Sequence, residues 1–326
     1  MKRTLITGAS GFVGANLARR LLRDGHEVHL LLRAEHQAWR LKEISGQCRI
    51  AFGDITDAEA VRRCLAAAKP DWVFHLAAYG AYSSQIGFEQ MLATNVIGCA
   101  NLIDACLEAG VQSFVQTGSS SEYGYQSHST EEAERLEPNS HYAITKAAAT
   151  HYVQFTARKR GFHAITARLY SIYGPYEEPT RLIPALLVYG LRGELPPLVS
   201  PGIARDFVYV DDAVEALIRL AGAKSLTPGA IYNVCSGVQT TLEQVVDVAR
   251  ALLQVPEEPL WGGMADRAWD TSVWVGDATA MRRDVGWRAD TALGDGLSRT
   301  IDWLKDNPCR LQFYAQKMAA SAGGVK

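Results

Sequence analysis

"LITGASGFVGANL", residues Leu5 to Leu17, is the stretch on which the reading of this chain turns. Apolar residues lead into glycines at 8, 11 and 14, and from Phe12 onward apolar residues recur at helical spacing. A strand, a glycine turn and a helix in succession can receive a phosphate, because backbone N–H groups converge at the positive end of the helix. Glycine lets the backbone turn tightly and lets a pyrophosphate come close to it. The spacing is GxxGxxG rather than GxGxxG, so a purely structural turn is the competing reading. The remaining chain must decide between them.

Outward from this stretch, strand and helix signals alternate. "RTLI", "EVHLLL" (27–32), "CRIAF" ending at Phe52, "DWVFHLAA" from Asp71 and "SFVQTG" from Ser113 read as strands. Helical patterns occupy 58–67, 88–109 and 141–159, and "HAITARLY" follows as a further strand. Nearly continuous apolar strands separated by helices predict a parallel sheet covered on both faces. Right-handed crossovers make it an α/β, doubly wound Rossmann sheet. After Gly174 prolines cluster and the alternation lapses; "RDFVYVDDAVEALIRL" and "IYNVCS" then return a helix and strand to the first sheet. The expected organisation is a dinucleotide-binding domain of residues 1–170 plus roughly 205–234. A smaller mixed α/β C-terminal substrate domain takes 171–204 and 235–316, and a disordered tail covers 317–326. Ligands would bind at the carboxyl ends of the strands, between the two domains.

Composition narrows the classes. The 326 residues are 48% hydrophobic and carry a formal charge of −2, which gives no electrostatic case for nucleic acid or an anionic membrane surface. The apolar runs read as strand-length and broken by charges, so no membrane-spanning segment and no signal peptide are expected, and the location is read as cytoplasmic. Cys48, Cys64, Cys99, Cys106, Cys235 and Cys309 lack metal-site spacing, so they are expected to be buried free thiols and no metal is expected.

The cradle would comprise Gly8, Ser10, Gly11, Phe12, Val13 and Gly14. At the end of the second strand an NAD-selecting fold usually places an acidic residue for the ribose hydroxyls. Here Leu32 stands there and Arg33 follows, and a guanidinium suits a 2′-phosphate. The expected cofactor is NADP, with NAD as the alternative; Arg40 is expected to face water. In "HYAITKAAA", Tyr142 and Lys146 are four apart on one helix face. Tyrosine ordinarily ionises near pH ~10, and an adjacent ammonium would lower that and permit proton exchange with a sugar or alcohol oxygen. "QTGSSSEYG" places serine hydroxyls at the end of a strand, within reach of the same oxygen.

The set "TGASGFVG", "GDITD", "HLAA", "GSSSEYG", Tyr142-x-x-x-Lys146 and "RDFVYVDD" resembles the extended short-chain dehydrogenases/reductases, and within them the NAD(P)-dependent nucleotide-sugar epimerase/dehydratase family. The likeness covers nearly the whole chain. It implies that Ser119, Tyr142 and Lys146 form the catalytic triad, with Lys146 also on the nicotinamide ribose. Asp54 and Ile55 would flank the adenine, Leu76, Ala77 and Ala78 would line the cofactor, and Asn95 would be mainly structural. A nucleotide-sugar substrate would meet Tyr79, Ser120, Ser121, Ser171, Arg205 and Arg267, the two arginines clamping its diphosphate. Ser171 stands where the family has an asparagine. A homodimer is implied through the helices at 88–109 and 141–159, whose outward residues are Leu92, Val96, Tyr152 and Phe155.

The residues immediately after Ser119 narrow the reaction. The 4,6-dehydratases carry an acidic pair there, whereas this chain has Ser120 and Ser121, which cannot act as a carboxylate acid–base pair near neutral pH. Glu122 is one place late and is expected to point elsewhere. A reductase of a nucleotide-linked 4-keto sugar is expected, with a 4-epimerase as the alternative. A small-carbonyl reductase and a non-catalytic NADP sensor remain further alternatives.

Overall fold

The computed structural model describes residues 1–82, 84–264 and 271–322. Seven strands form the main sheet: β1 (Arg3–Thr7), β2 (Glu27–Leu32), β3 (Arg49–Phe52), β4 (Trp72–His75), β5 (Ser113–Ser119), β6 (Ala164–Leu169) and β9 (Ile231–Val234). Their order is β3-β2-β1-β4-β5-β6-β9, and every pair is parallel. The order reverses between β1 and β4, which opens a crevice at the carboxyl ends of those strands.

The two faces of the sheet are set by the alternation of its side chains. Ile6, Leu30, Phe74 and Val115 pack against α1 (Phe12–Arg23) and α7 (Val210–Gly222). Their chain neighbours Leu5, Leu31, Val73 and Phe114 point the other way. That face is covered by α2 (Ala58–Ala68), by α3 (Phe88–Met91), which runs through a π-helical turn (Leu92–Ile97) into α4 (Gly98–Glu108), and by α5 (His141–Arg160). Asp57 caps α2 by accepting the Glu59 and Ala60 amides, and Ser140 caps α5 by accepting the Ala143 amide.

A second, three-stranded sheet joins β7 (Ser171–Tyr173), β8 (Ala204–Tyr209) and β10 (Gln239–Thr241), with β7 parallel and β10 antiparallel to β8. With α6 (Leu182–Gly190), α8 (Leu242–Leu253), α10 (Leu293–Lys305) and α11 (Pro308–Ala322) it encloses a core of its own around Leu186, Val245, Leu297 and Tyr314. A short helix, α9 (Thr279–Val285), packs beside β9.

Several expectations need correcting. "RDFVY" is a strand of the small sheet, and only the helix after it returns to the main one. The tail is helical to Ala322, because Tyr314 is buried and bonds the Glu177 carbonyl at 2.7 Å; residues 323–326 lie outside the described residues. The helix Phe88–Glu108 is by length and composition able to cross a membrane, contrary to the sequence expectation. In the fold it packs Cys99, Leu102, Ile103 and Cys106 into the core beside the sheet. Of the thiols, Cys309 is exposed and Cys48 half-buried, and the other four are buried.

Candidate active site

The glycines of the first turn are required by contact. Gly8 has φ +72°, and a Cβ there would sit 2.4 Å from the Leu76 carbonyl carbon and 2.5 Å from the Ala77 nitrogen. A Cβ on Gly14 would sit 2.4 Å from the Gly8 carbonyl oxygen. The turn is therefore pressed onto the end of β4, with Ser10, Gly11, Phe12 and Val13 partly open beside Leu76, Ala77 and Ala78. No side chain caps α1, so its first amides remain available to a ligand. This cradle fits a dinucleotide pyrophosphate.

Arg33 lies just past β2 and is exposed. Asp54 holds the next turn, accepting the Thr56 amide at 2.9 Å and its hydroxyl at 2.8 Å. Ile55 is buried, and its carbonyl accepts the Asn101 side-chain amide at 3.0 Å. Arg40 does not face water. It is 3% exposed, donates to the Tyr176 carbonyl at 2.7 Å and pairs with Glu178 at 3.0 Å. It ties the glycine turn to the segment after β7, because its other nitrogen reaches the Ser10 carbonyl at 3.4 Å.

Ser119, Tyr142 and Lys146 meet at the carboxyl end of β5. The Ser119 hydroxyl hydrogen-bonds the Tyr142 phenol and lies 2.7 Å from the Ser121 hydroxyl. Lys146 is buried on α5, and its Nζ donates to the Thr117 carbonyl at 2.6 Å. Burial, followed by the charge of Glu122, pushes the Tyr142 phenol up to about 12; the Ser119 bond and Arg181 pull weakly the other way. The expected lowering by Lys146 is thus not what this arrangement yields. Burial also lowers the Lys146 ammonium, and Glu122 partly restores it. A phenol held in its neutral form is a proton donor.

The π-helical turn places Asn95 between two parts of the site. Its Oδ1 accepts the Tyr79 amide, and its Nδ2 donates both to the Tyr79 carbonyl and to the Thr145 hydroxyl, each within 2.9 Å. It clamps the loop after β4 to α5. Ser120 is buried and accepts the Trp274 indole N–H at 3.1 Å. Arg205 stacks over Trp274 at 5.3 Å, so the small sheet reaches the turn after β5 through this pair. Ser171 is half-buried at the start of β7. Arg267 lies outside the described residues.

Sequence reasoning missed two buried groups. Glu122 does not merely point elsewhere: it is ion-paired with Arg168 at 2.9 Å, both side chains nearly solvent-free. Asp206, fully buried, accepts from the Ser236 amide and hydroxyl and from the Gly237 and Gly276 amides, fixing the loops around Arg205. Its signal was the "RDF" segment, read only for its arginine. Among the described residues no cluster of His, Cys, Asp and Glu could hold a metal ion.

Comparison with known proteins agrees with this architecture. Residues 4–235 match the model of the NAD dependent epimerase/dehydratase family. The UDP-glucose 4-epimerase of Mycolicibacterium smegmatis is 31% identical, over 93% of this chain and 99% of its own. The dTDP-glucose 4,6-dehydratase of Streptomyces griseus is 32% identical, over 92% and 93%. A solved dTDP-glucose 4,6-dehydratase from Streptomyces venezuelae, with NAD bound, superposes with a TM-score of 0.83 at 28% identity, covering 94% of this chain and 98% of that one.

Proposed function

Since the chain belongs to the NAD-dependent epimerase/dehydratase family and is therefore an enzyme of the extended short-chain dehydrogenase/reductase type, we propose that it reduces a nucleotide-activated 4-keto sugar, using NADP(H). The observation that carries this reading is that, among the described residues, the turn after Ser119 offers no free carboxylate. Ser120 and Ser121 follow Ser119, and Glu122 is engaged with Arg168 and the Ser119 amide. Elimination of water needs a base–acid pair that two serines do not provide near neutral pH. Hydride transfer to a ketone needs only a proton donor and an oxygen-binding hydroxyl.

A nicotinamide dinucleotide on the glycine cradle supplies the hydride. The Tyr142 phenol, protonated across the physiological range, gives its proton to the sugar oxygen as that oxygen gains charge. Ser119 binds the same oxygen and relays to Ser121. Lys146 holds its end of the helix through the Thr117 carbonyl and presents a positive charge to the ribose side of the cleft. Arg205 and Arg267 would face the diphosphate, and Tyr79 and Ser171 the sugar. The Rossmann portion holds the dinucleotide, and the small sheet with its helices holds the nucleotide sugar.

The 4-epimerase is the second reading, favoured by the Mycolicibacterium relative. Arg33 separates the two, because its exposed guanidinium suits a 2′-phosphate and a cofactor that is consumed and exchanged. The purified protein is expected to oxidise NADPH stoichiometrically with a nucleotide-linked 4-keto sugar, and Arg33→Ala to weaken NADPH far more than NADH. Tightly held NAD with no net consumption would refute the reductase and leave the epimerase.

The chain is also proposed to form a homodimer through α3, the π-helical turn and α5. Leu92, Ile97, Ile144 and Phe155 are exposed there, while Val96 and Tyr152 are half-buried. Sedimentation is expected to give a dimer at micromolar concentration, and a monomer would count against this interface.

A further inference from the structure

Behind the catalytic turn lies a buried polar network that the proposed chemistry does not use. Glu122 closes the turn after Ser119: its Oε1 accepts the Ser119 amide at 2.8 Å, while the Ser119 hydroxyl accepts the Ser121 amide at 3.2 Å. Its Oε2 accepts Arg168 Nε at 2.9 Å. Arg168 is itself pinned, donating to the Tyr123 hydroxyl at 2.8 Å and the Glu132 carbonyl at 3.2 Å; Tyr123 in turn donates to Asn233 at 2.7 Å. Gly118 makes the room, since a Cβ there would lie 2.7 Å from Glu122 Oε1 and 3.1 Å from Arg168 Cγ. A buried ion pair costs several kcal/mol per ion to desolvate, roughly offset by the pairing, so apolar residues of similar volume would hold the fold as well. Stability alone does not account for it.

We propose that Glu122 is a positioning residue for proton transfer, its carboxylate fixing the Ser119 hydroxyl against Tyr142 and keeping a negative charge beside the Tyr142–Lys146 pair. The inference rests on Tyr142 being the proton-transfer group, as the proposed function has it. Around Glu122, β6 contributes Arg168, the loop between β5 and α5 Glu132, and α5 both Tyr142 and Lys146. Tyr142 also faces Arg181 and Tyr82, and Lys146 faces Cys99 on α4 and His75 on β4. Arg181 favours ionisation of the phenol and Glu122 opposes it. Neutralising Glu122 therefore makes the phenol easier to ionise, and the upper limb of the pH profile moves down.

Two variants separate position from charge. Glu122→Gln keeps the oxygen that accepts the Ser119 amide and removes the charge. The upper limb of kcat is expected to fall by about one pH unit, with KM unchanged. Glu122→Asp keeps the charge and loses reach; its limb should stay in place while kcat drops about tenfold or more. Either net reduction or epimerisation can serve as the readout, because both pass through Tyr142. Should no nucleotide sugar turn over, the functional reading fails on its own. The Tyr142 ring-carbon NMR resonance, assigned by its loss in Tyr142→Phe, then decides between pH 10 and 12, the range over which the wild-type phenol begins to ionise. Earlier ionisation in Glu122→Gln supports the inference. If both variants keep the wild-type kcat and limb, or if the Tyr142 resonance titrates identically, the inference is overturned.

Discussion

Tyr142→Phe is expected to lower turnover by about 10²- to 10⁴-fold while leaving dinucleotide affinity unchanged. The substitution keeps the ring, which sits at the second position of α5 beside residues packed on β5 and β6, and removes only the hydroxyl. Ser119 loses one partner but retains Ser121 at 2.7 Å, so the turn after β5 should keep its shape. What disappears is the proton. Burial and Glu122 hold the phenol at about 12, two units above the ~10 of a free tyrosine, so at neutral pH the donor form is essentially complete. Its removal leaves the sugar oxyanion without the donor proposed for it. The measurement is steady-state turnover beside calorimetric titration of the dinucleotide. Turnover near wild type would remove Tyr142 from the chemistry, and a parallel loss of cofactor affinity would place its role in binding.

The sequence made the main sheet legible because each of its inner strands carries apolar side chains on both faces, and turn or helix signals separate one from the next. "EVHLLL" becomes β2 without change of boundary, and the 141–159 helix ends one residue later, at a glycine with φ +61°. The misread segments are those whose partners lie far off in the chain. β8 alternates buried and half-buried residues like any strand, and nothing local says whether it joins β9 or β7. Arg40 reads as a solvated charge until Tyr176 and Glu178, more than a hundred residues on, close over it. In the site, Ser119, Tyr142 and Lys146 are picked out by the family resemblance of the motifs that hold them, which is what proposes them as the triad. Glu122 could not, since its meaning depends on Arg168 from the adjacent strand and on the vacancy at Gly118. A one-residue offset looks like an absence in the sequence, and in the fold it is a buried ion pair.

Gly8→Ala should damage both stability and dinucleotide binding, and a control exists to say why. Gly8 and Gly25 both adopt left-handed backbone, at φ +72° and +77°. Alanine is strained at either place by about 1–3 kcal/mol. They differ in surroundings: a Cβ on Gly25 meets nothing within 4 Å, whereas one on Gly8 meets backbone atoms of Leu76 and Ala77 at 2.4 to 2.6 Å. None of the three atoms belongs to a side chain that can swing away, so the glycine turn and the end of β4 must separate, adding about 1–3 kcal/mol or more. At about 2–4 °C per kcal/mol for a chain of this size, Gly25→Ala should lower Tm by a few degrees and Gly8→Ala by roughly twice as much. The larger difference should appear in binding, because the separation moves the first amides of α1 away from Leu76, Ala77 and Ala78, which line the same crevice. Dinucleotide affinity is expected to collapse in Gly8→Ala and to persist in Gly25→Ala. If the two variants lose equal stability and both still bind, the first turn is a turn like any other, and the contact between Gly8 and Leu76 is not what makes it a cradle.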